Sequence, residues 1–254
     1  MCAPSSYLEF YGQGSGIGIQ FLSTGTICPT DSCQVFQTNP KGGNWEQAVN
    51  ATAGKVMMQG GQPIKAWFSS THGGYTHSSG DIGWSGTSFT KNAKDTTSDS
   101  ISSFGDLNSN AYDGPGHANS SWFYCDWGAR SQYGGTAWLK PEEVADIANV
   151  LLLVQRDSGT KEHLYQPDKP NPAGTDTWDP GRVKQELSNR GGTPFNSVSS
   201  ASVDWDKGSG KTTNVTISGD AGSVSFSGSD FKTYFNLRAP ANIQIVGPLF
   251  NIEH

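Results

Sequence analysis

Charge is scarce in this 254-residue chain, at 16% Asp, Glu, Lys and Arg. What there is leans acidic: 23 Asp and Glu stand against 17 Lys and Arg, a formal net charge of −6 at pH 7. A nucleic-acid surface needs a basic stripe to neutralise phosphates, so this balance argues against a nucleic acid as partner. No apolar run approaches the ~20 residues of a membrane-spanning helix. No basic segment followed by an apolar stretch opens the chain either, so export cannot be read from its N-terminus. Gly12-Gln-Gly-Ser-Gly-Ile-Gly18 has the glycine content of a phosphate loop. Its spacing is not G-x-G-x-x-G and no G-K-[ST] follows, which leaves a glycine-rich strand entry.

What the chain has instead is 32 glycines and eight tryptophans. That composition suits a loop-rich, largely β protein, and apolar periodicity returning throughout separates it from a disordered chain. Its length holds one large domain or two small ones, with a real core in either case.

The periodicity marks the elements. Trp45, Ala48, Val49 and Thr52 recur at helical spacing, with Asn44 placed to cap the start and Gly54 placed as a left-handed cap at the end. Val56 and Met58 alternate toward Gly60-Gly61, and Ile64, Ala66 and Phe68 alternate away from it, the pattern of a β-hairpin around a glycine turn. This strand runs into Ser69-Ser-Thr-His72 and Gly73-Gly74, where missing Cβ atoms let a ligand approach the backbone. The same loop also reads as a plain serine-rich turn with a surface histidine.

From Asp81 to Gly135, Ser, Asn, Asp and Gly dominate, and isolated aromatics from Trp84 to Trp127 would pin this long loop over the fold. Pro141 to Gln155 is the clearest helix. Pro141 suits the first turn, Glu142 and Glu143 suit the dipole, and Val144, Ile147, Ala148, Leu151 and Val154 form one apolar stripe. Lys161 to Trp178 reads as a loop, and Pro180 to Asn189 as a short helix capped by Asp179. Alternation from Val198 to Trp205 precedes a hairpin of Val215–Ile217 and Val224–Phe226 about Ser218–Gly222. The expected fold is therefore α+β, with a mostly antiparallel β core, a few helices and long ordered loops. One domain is expected over 1–246, with 247–254 as a strand or tail.

The run Ala48-Val-Asn-Ala-Thr-Ala-Gly54-Lys-Val-Met-Met-Gln-Gly60-Gly-Gln-Pro-Ile64-Lys-Ala-Trp-Phe-Ser69-Ser-Thr-His-Gly-Gly74-Tyr-Thr resembles the central signature of the SpoIID/LytB family. That signature reads roughly A-V-x-A-T-x-G-x-V-h-x-h-x-G-x-P-I-x-A-h-Y/F-x-S-x-x-G-G-x-T. Gln34-Val-Phe-Gln37 is similar to the family's short Q-V-Y strand, with Phe36 in place of tyrosine. Gly228 to Arg238 resembles its closing motif G-x-x-F-R-x-x-h-x-L-R-S, with Lys232 for the first arginine and Ala239 for the serine. The resemblance runs from about Cys28 to Ile245.

It implies a SpoIID-like domain outside the cytoplasm, in the envelope or secreted, with peptidoglycan glycan strands as its partner. It also implies lytic transglycosylase activity in the full-length form. In that chemistry one glutamate protonates the glycosidic oxygen and then, as base, helps the muramoyl C6 hydroxyl close a 1,6-anhydro ring, so a second carboxylate is not needed. Relatives carry this glutamate in an E-M-P-like motif ahead of an alanine-rich helix. Neither motif is present here, and Glu9, the only glutamate ahead of Cys28, is followed by Phe10-Tyr11, so the catalytic role is not transferred to it. The chain either begins just after the catalytic helix or keeps a glycan-binding scaffold without the acid.

Carried over residue by residue, the binding positions are Gln34, Ser69, Ser70, His72, Gly73, Gly74 and Tyr75, with Trp122 as a stacking aromatic or a loop anchor. His72, with an ordinary pKa of about 6.5, is the one candidate acid or base. Asp81, Asp126 and Asp146 read as solvated or capping carboxylates.

Cys2, Cys28, Cys33 and Cys125 allow three pairings. A Cys28–Cys33 disulfide would contribute about 2 kcal/mol by loop entropy. Free thiols and a zinc site stand as alternatives to it. Some relatives hold zinc near this position, but the histidine they use is absent here; no other cofactor is implied. Three functions stay open: a transglycosylase, a non-catalytic enhancer or glycan-binding partner of a wall amidase, and a β-rich surface interaction module.

Overall fold

The computed structural model describes residues 8–11, 42–68, 74–110, 139–245 and 247–252. These residues fall into two compact units, one within Ala3–His72 and one within Gly73–His254. Together they mix helices with small antiparallel sheets, an α+β fold. Among the described residues no helix is long and apolar enough to cross a membrane.

In the first unit, β1 (Leu8–Tyr11) is followed by α1 (Gly43–Ala51), β2 (Met58–Gln59), β3 (Gln62–Pro63) and β4 (Lys65–Phe68). β1 and β4 pair antiparallel, Leu8 opposite Phe68 and Tyr11 opposite Lys65. The glycine turn forms as expected. Gln59 faces Gln62 across Gly60 and Gly61, whose φ values of 57° and 78° are those a tight two-residue hairpin demands. Gly54 is likewise left-handed, at φ 74°. The helix start differs from expectation, because Gly42 at φ 65° is the cap residue and Asn44 lies inside α1. No residue of α1 is buried, and Trp45 is 47% exposed. Helical spacing fixed which residues share a face of α1, but burial also needs an element packed on that face.

The second unit begins with β5 (Tyr75–Thr76) paired to β6 (Ala93–Lys94), then α2 (Phe104–Asn110). This gives the Asp81–Gly135 region a strand and a helix within its described part. The body follows: α3 (Pro141–Arg156), α4 (Pro180–Asn189), β7 (Val198–Asp206), β8 (Lys211–Gly219), β9 (Gly222–Ser227) and α5 (Gly228–Arg238). Asp179 caps α4 as expected, accepting from Arg182 N at 2.7 Å. The expected loop from Lys161 starts inside a 3-10 turn, Ser158–His163, capped by Asp157.

The single stripe expected on α3 proves to be two. Ile147, Ala148 and Leu151 pack with Val215, Ile217, Phe226 and Phe231 of the sheet and α5. Val150, Leu153 and Val154 pack with Leu164 and with Val183 and Leu187 of α4. A helix wedged between two layers is apolar most of the way round, and each such side chain contributes roughly 1.5–3 kcal/mol on burial.

The sheet runs β7-β8-β9, antiparallel throughout. Its inner face is apolar, while its outer face carries cross-strand hydroxyl pairs, Thr216 with Ser225 at 2.8 Å and Ser218 with Ser223 at 2.9 Å. A register shift between Val198 and Ser200 lets Val198 join the core on the same side as Val203. Gly228 opens α5 where a Cβ would stand 2.1 Å from Thr212 O, so no larger residue fits without movement. The segment 247–252 is anchored to the body, not loose. Phe250 is in the core, and its backbone N–H and C=O both bond the Thr212 hydroxyl, at 2.9 and 2.7 Å.

Candidate functional site

Of the site residues expected from sequence, Gln34, Ser69, Ser70, His72, Gly73 and Trp122 lie outside the described residues, as do Cys28, Cys33 and Asp126. Gly74 and Tyr75 lie inside them. Gly74 is left-handed, at φ 85°, and its carbonyl accepts from Asp95 N at 2.8 Å. Tyr75 is 1% exposed. Its hydroxyl donates to Lys207 O at 2.6 Å, and its ring meets Trp205 edge-on at 5.9 Å. Trp205 in turn stacks on Phe104 at 4.9 Å. Burial first, and the nearby Asp206 carboxylate second, push the phenol above its ordinary 10. The Tyr75 side chain is thus a core element, and only its backbone is left for a ligand.

The next residues continue the attachment. His77 Nε2 donates to Gly210 O at 2.8 Å, which requires the proton on that nitrogen. Burial lowers the His77 pKa. The Gly210 carbonyl and Asp81 oppose that shift, while Lys211 and Lys232 add to it. Lys211 Nζ donates to Asp81 Oδ1 at 2.6 Å, and this bond holds the Asp81 carboxyl at about 2. Asp81 is therefore an ion-paired residue and not a solvated one, because β8 brings a lysine to it from far along the chain. Tyr75, His77 and Asp81 together clamp the start of this unit onto the β7–β8 turn. That turn is itself folded around Asp206, which accepts from Gly208 N at 2.9 Å and from the Ser209 hydroxyl at 2.6 Å.

A second feature is a cavity of about 270 Å³ where the first turns of α3 and α4 converge. Arg238 forms part of its lining. The Arg238 side chain is wholly buried and donates to both oxygens of Asp146 (2.6 and 3.2 Å), to Tyr165 O (3.0 Å) and to Trp178 O (2.9 Å). Asp146 is thus neither solvated nor capping. Asn149, at the same wall, exchanges two 2.8 Å bonds with the Phe195 backbone. None of these lining residues was singled out from sequence as a site. Arg238 alone carried a signal, as the arginine of the closing motif.

Among the described residues, every carboxylate with a resolved shift is lowered by hydrogen bonds or ion pairs: Asp81, Asp106, Glu186, Asp206 and Asp220. Each stays ionised at neutral pH and is unsuited to donating a proton. No three His, Cys, Asp or Glu side chains among the described residues gather closely enough to hold a metal ion. Compared with family models, with curated proteins and with solved structures, the chain finds no match.

Proposed function

We propose that the protein binds peptidoglycan glycan strands outside the cytoplasm, in the manner of SpoIID/LytB wall proteins. The observation that carries this reading is where the motif residues fall. Gly54, Gly61 and Gly74 all stand at positive φ, Phe231 is in the core, and Arg238 ties α5 to α3 and two loops. These five positions of the resemblance are ones the described backbone constrains, which supports the reading that the chain shares the family's domain.

The binding residues in this reading are Gln34, Ser69, Ser70, His72, Gly73 and Gly74, neutral hydrogen bonders suited to acetamido and hydroxyl groups. Tyr75 contributes by anchoring the end of that loop. Neutral recognition also fits an acidic chain facing an anionic polymer, since charge attraction is not available to it.

Sedimentation with purified sacculi and titration with denuded glycan strands test this. His72→Ala and Ser70→Ala should each weaken binding by about 1–3 kcal/mol while leaving the fold intact. Unchanged binding in both variants would move the site, most directly to the Trp122 segment. Absence of binding by the unaltered protein would end the proposal.

A further inference from the structure

None of the residues proposed above to bind glycan lines the cavity between α3 and α4, and the cavity's chemistry points to a different guest. At about 270 Å³ it lies just below the roughly 300–1,000 Å³ of pockets that enclose drug-sized ligands, a size that suits one side-chain-sized group. Pro167, Pro180, Pro240 and Phe195 give it carbon walls. Four carboxylates (Glu142, Glu143, Asp146, Asp168) and two cations (Lys184, Arg238) also line it, a net charge of −2.

Most of those charges are already engaged. Arg238 neutralises Asp146. Glu143 accepts from Lys140 N at 2.7 Å to close the first turn of α3. Asp168 uses one oxygen on Ala241 N at 2.8 Å, which braces Ala241 at a left-handed φ of 56°. Lys184 leans on Asn196 Oδ1 at 3.2 Å. The Glu142 carboxylate, which has no hydrogen-bond partner among the described residues, and the second oxygen of Asp168 stay uncommitted, on two separate elements.

We propose that this cavity binds a primary ammonium on an aliphatic stem, the chemistry of a lysine or other diamino-acid side chain. The stem covers the proline and phenylalanine walls, as lysine stems cover apolar surface elsewhere, and the head meets Glu142 and Asp168. Three donors on one tetrahedral nitrogen suit acceptors arriving from different elements. A guanidinium is matched instead to both oxygens of a single carboxylate.

The shared chemistry could be presented by a peptide or by a free amine, and one titration separates them. The full chain is followed by amide NMR during addition of Nα-acetyl-lysine methylamide, cadaverine, Nα-acetyl-arginine methylamide or Nα-acetyl-norleucine methylamide. The expected result is saturable shifts at Glu142, Asp168 and Asn196 with the lysine compound or cadaverine, the tighter of the two identifying the source. Glu142→Gln and Asp168→Asn should each weaken this binding about threefold to tenfold, and Lys184→Met should tighten it by removing a like charge. Asp168→Asn keeps an oxygen for Ala241 N, so a lost site there does not merely report a lost fold. Absent shifts, equal shifts with norleucine, tighter binding of arginine, or binding that survives both acid substitutions together would overturn the proposal.

Discussion

Arg238 and Asp146 form a two-bond ion pair whose arginine has no solvent exposure, joining the last turn of α5 to the first half of α3. The guanidinium also serves two backbone carbonyls, so its removal strands those two carbonyls as well as the Asp146 carboxylate. Replacing a buried pair by one partner alone typically costs about 3–5 kcal/mol. Arg238→Met is expected to fall in that range by urea unfolding, and a loss under about 1 kcal/mol would mean that water reaches the site.

Gly210 and Gly222 are both left-handed, at φ 64° and 98°, yet only one is crowded. A Cβ on Gly210 would lie 2.3 Å from the Tyr75 ring, whereas one on Gly222 meets nothing within 4 Å. Gly222→Ala should therefore cost only the backbone strain, roughly 1–2 kcal/mol. Gly210→Ala should cost that and displace the Tyr75 clamp as well. Paired thermal melts check this, and equal losses would show that the ring moves aside freely.

The clamp gives two separate pH windows. His77 is held below its ordinary 6.5, so the unfolded chain takes up its proton first. Stability present above about pH 6.5 is then lost as pH falls through the lower folded value. Asp81, held at about 2 against roughly 3.9 unfolded, contributes stability above about pH 4 that disappears as pH falls toward 2. Because the Asp81–Lys211 pair is partly solvated, its contribution is damped. His77→Gln should flatten the melting temperature between about pH 7 and 5 and leave the acid limb in place. Parallel curves for both proteins would remove His77 from the account.

On the proposed SpoIID/LytB-like reading, the 254-residue chain should release no anhydromuropeptides from denuded glycan strands. The sequence holds no E-M-P-like glutamate motif of the SpoIID/LytB kind, and proton transfer of this kind is worth about 10²–10⁴-fold in rate. Mass spectrometry of digests reads the outcome directly. Anhydro products that vanish only with Glu9→Gln would assign the acid to Glu9 after all.

Local signals carried much of the fold. The glycine hairpin at Gly60-Gly61, the Asp179 cap and the strands flanking Ser218–Gly222 all follow from neighbours in sequence, and all form. Relations across distance did not show. Nothing local marks β1 as the partner of β4, or Lys211 as the partner of Asp81. The two-sided burial of α3 was hidden because periodicity names a face without naming what packs on it. The site divides the same way. Tyr75 has the right place in a motif for a binding residue, but its hydroxyl is taken by a carbonyl that only the folded β7–β8 turn supplies. The cavity at α3 and α4 draws its lining from separate stretches and has no linear signature.

The hydrogen bond from Tyr75 to Lys207 spans 132 positions of chain, whereas β8 and β9 are joined directly through Gly219–Gly222. In kinetic terms, near contacts close before distant ones, because the entropy of a long loop must be met before its contact gives anything back. The hairpins and helices of 139–252 are thus expected to assemble first, and the earlier segment 74–110 to be recruited onto a surface already built. Substitution at Tyr75 would then quicken unfolding and scarcely touch refolding. The compact turn around Asp206 would act during folding as the landing place for a part of the chain made long before it.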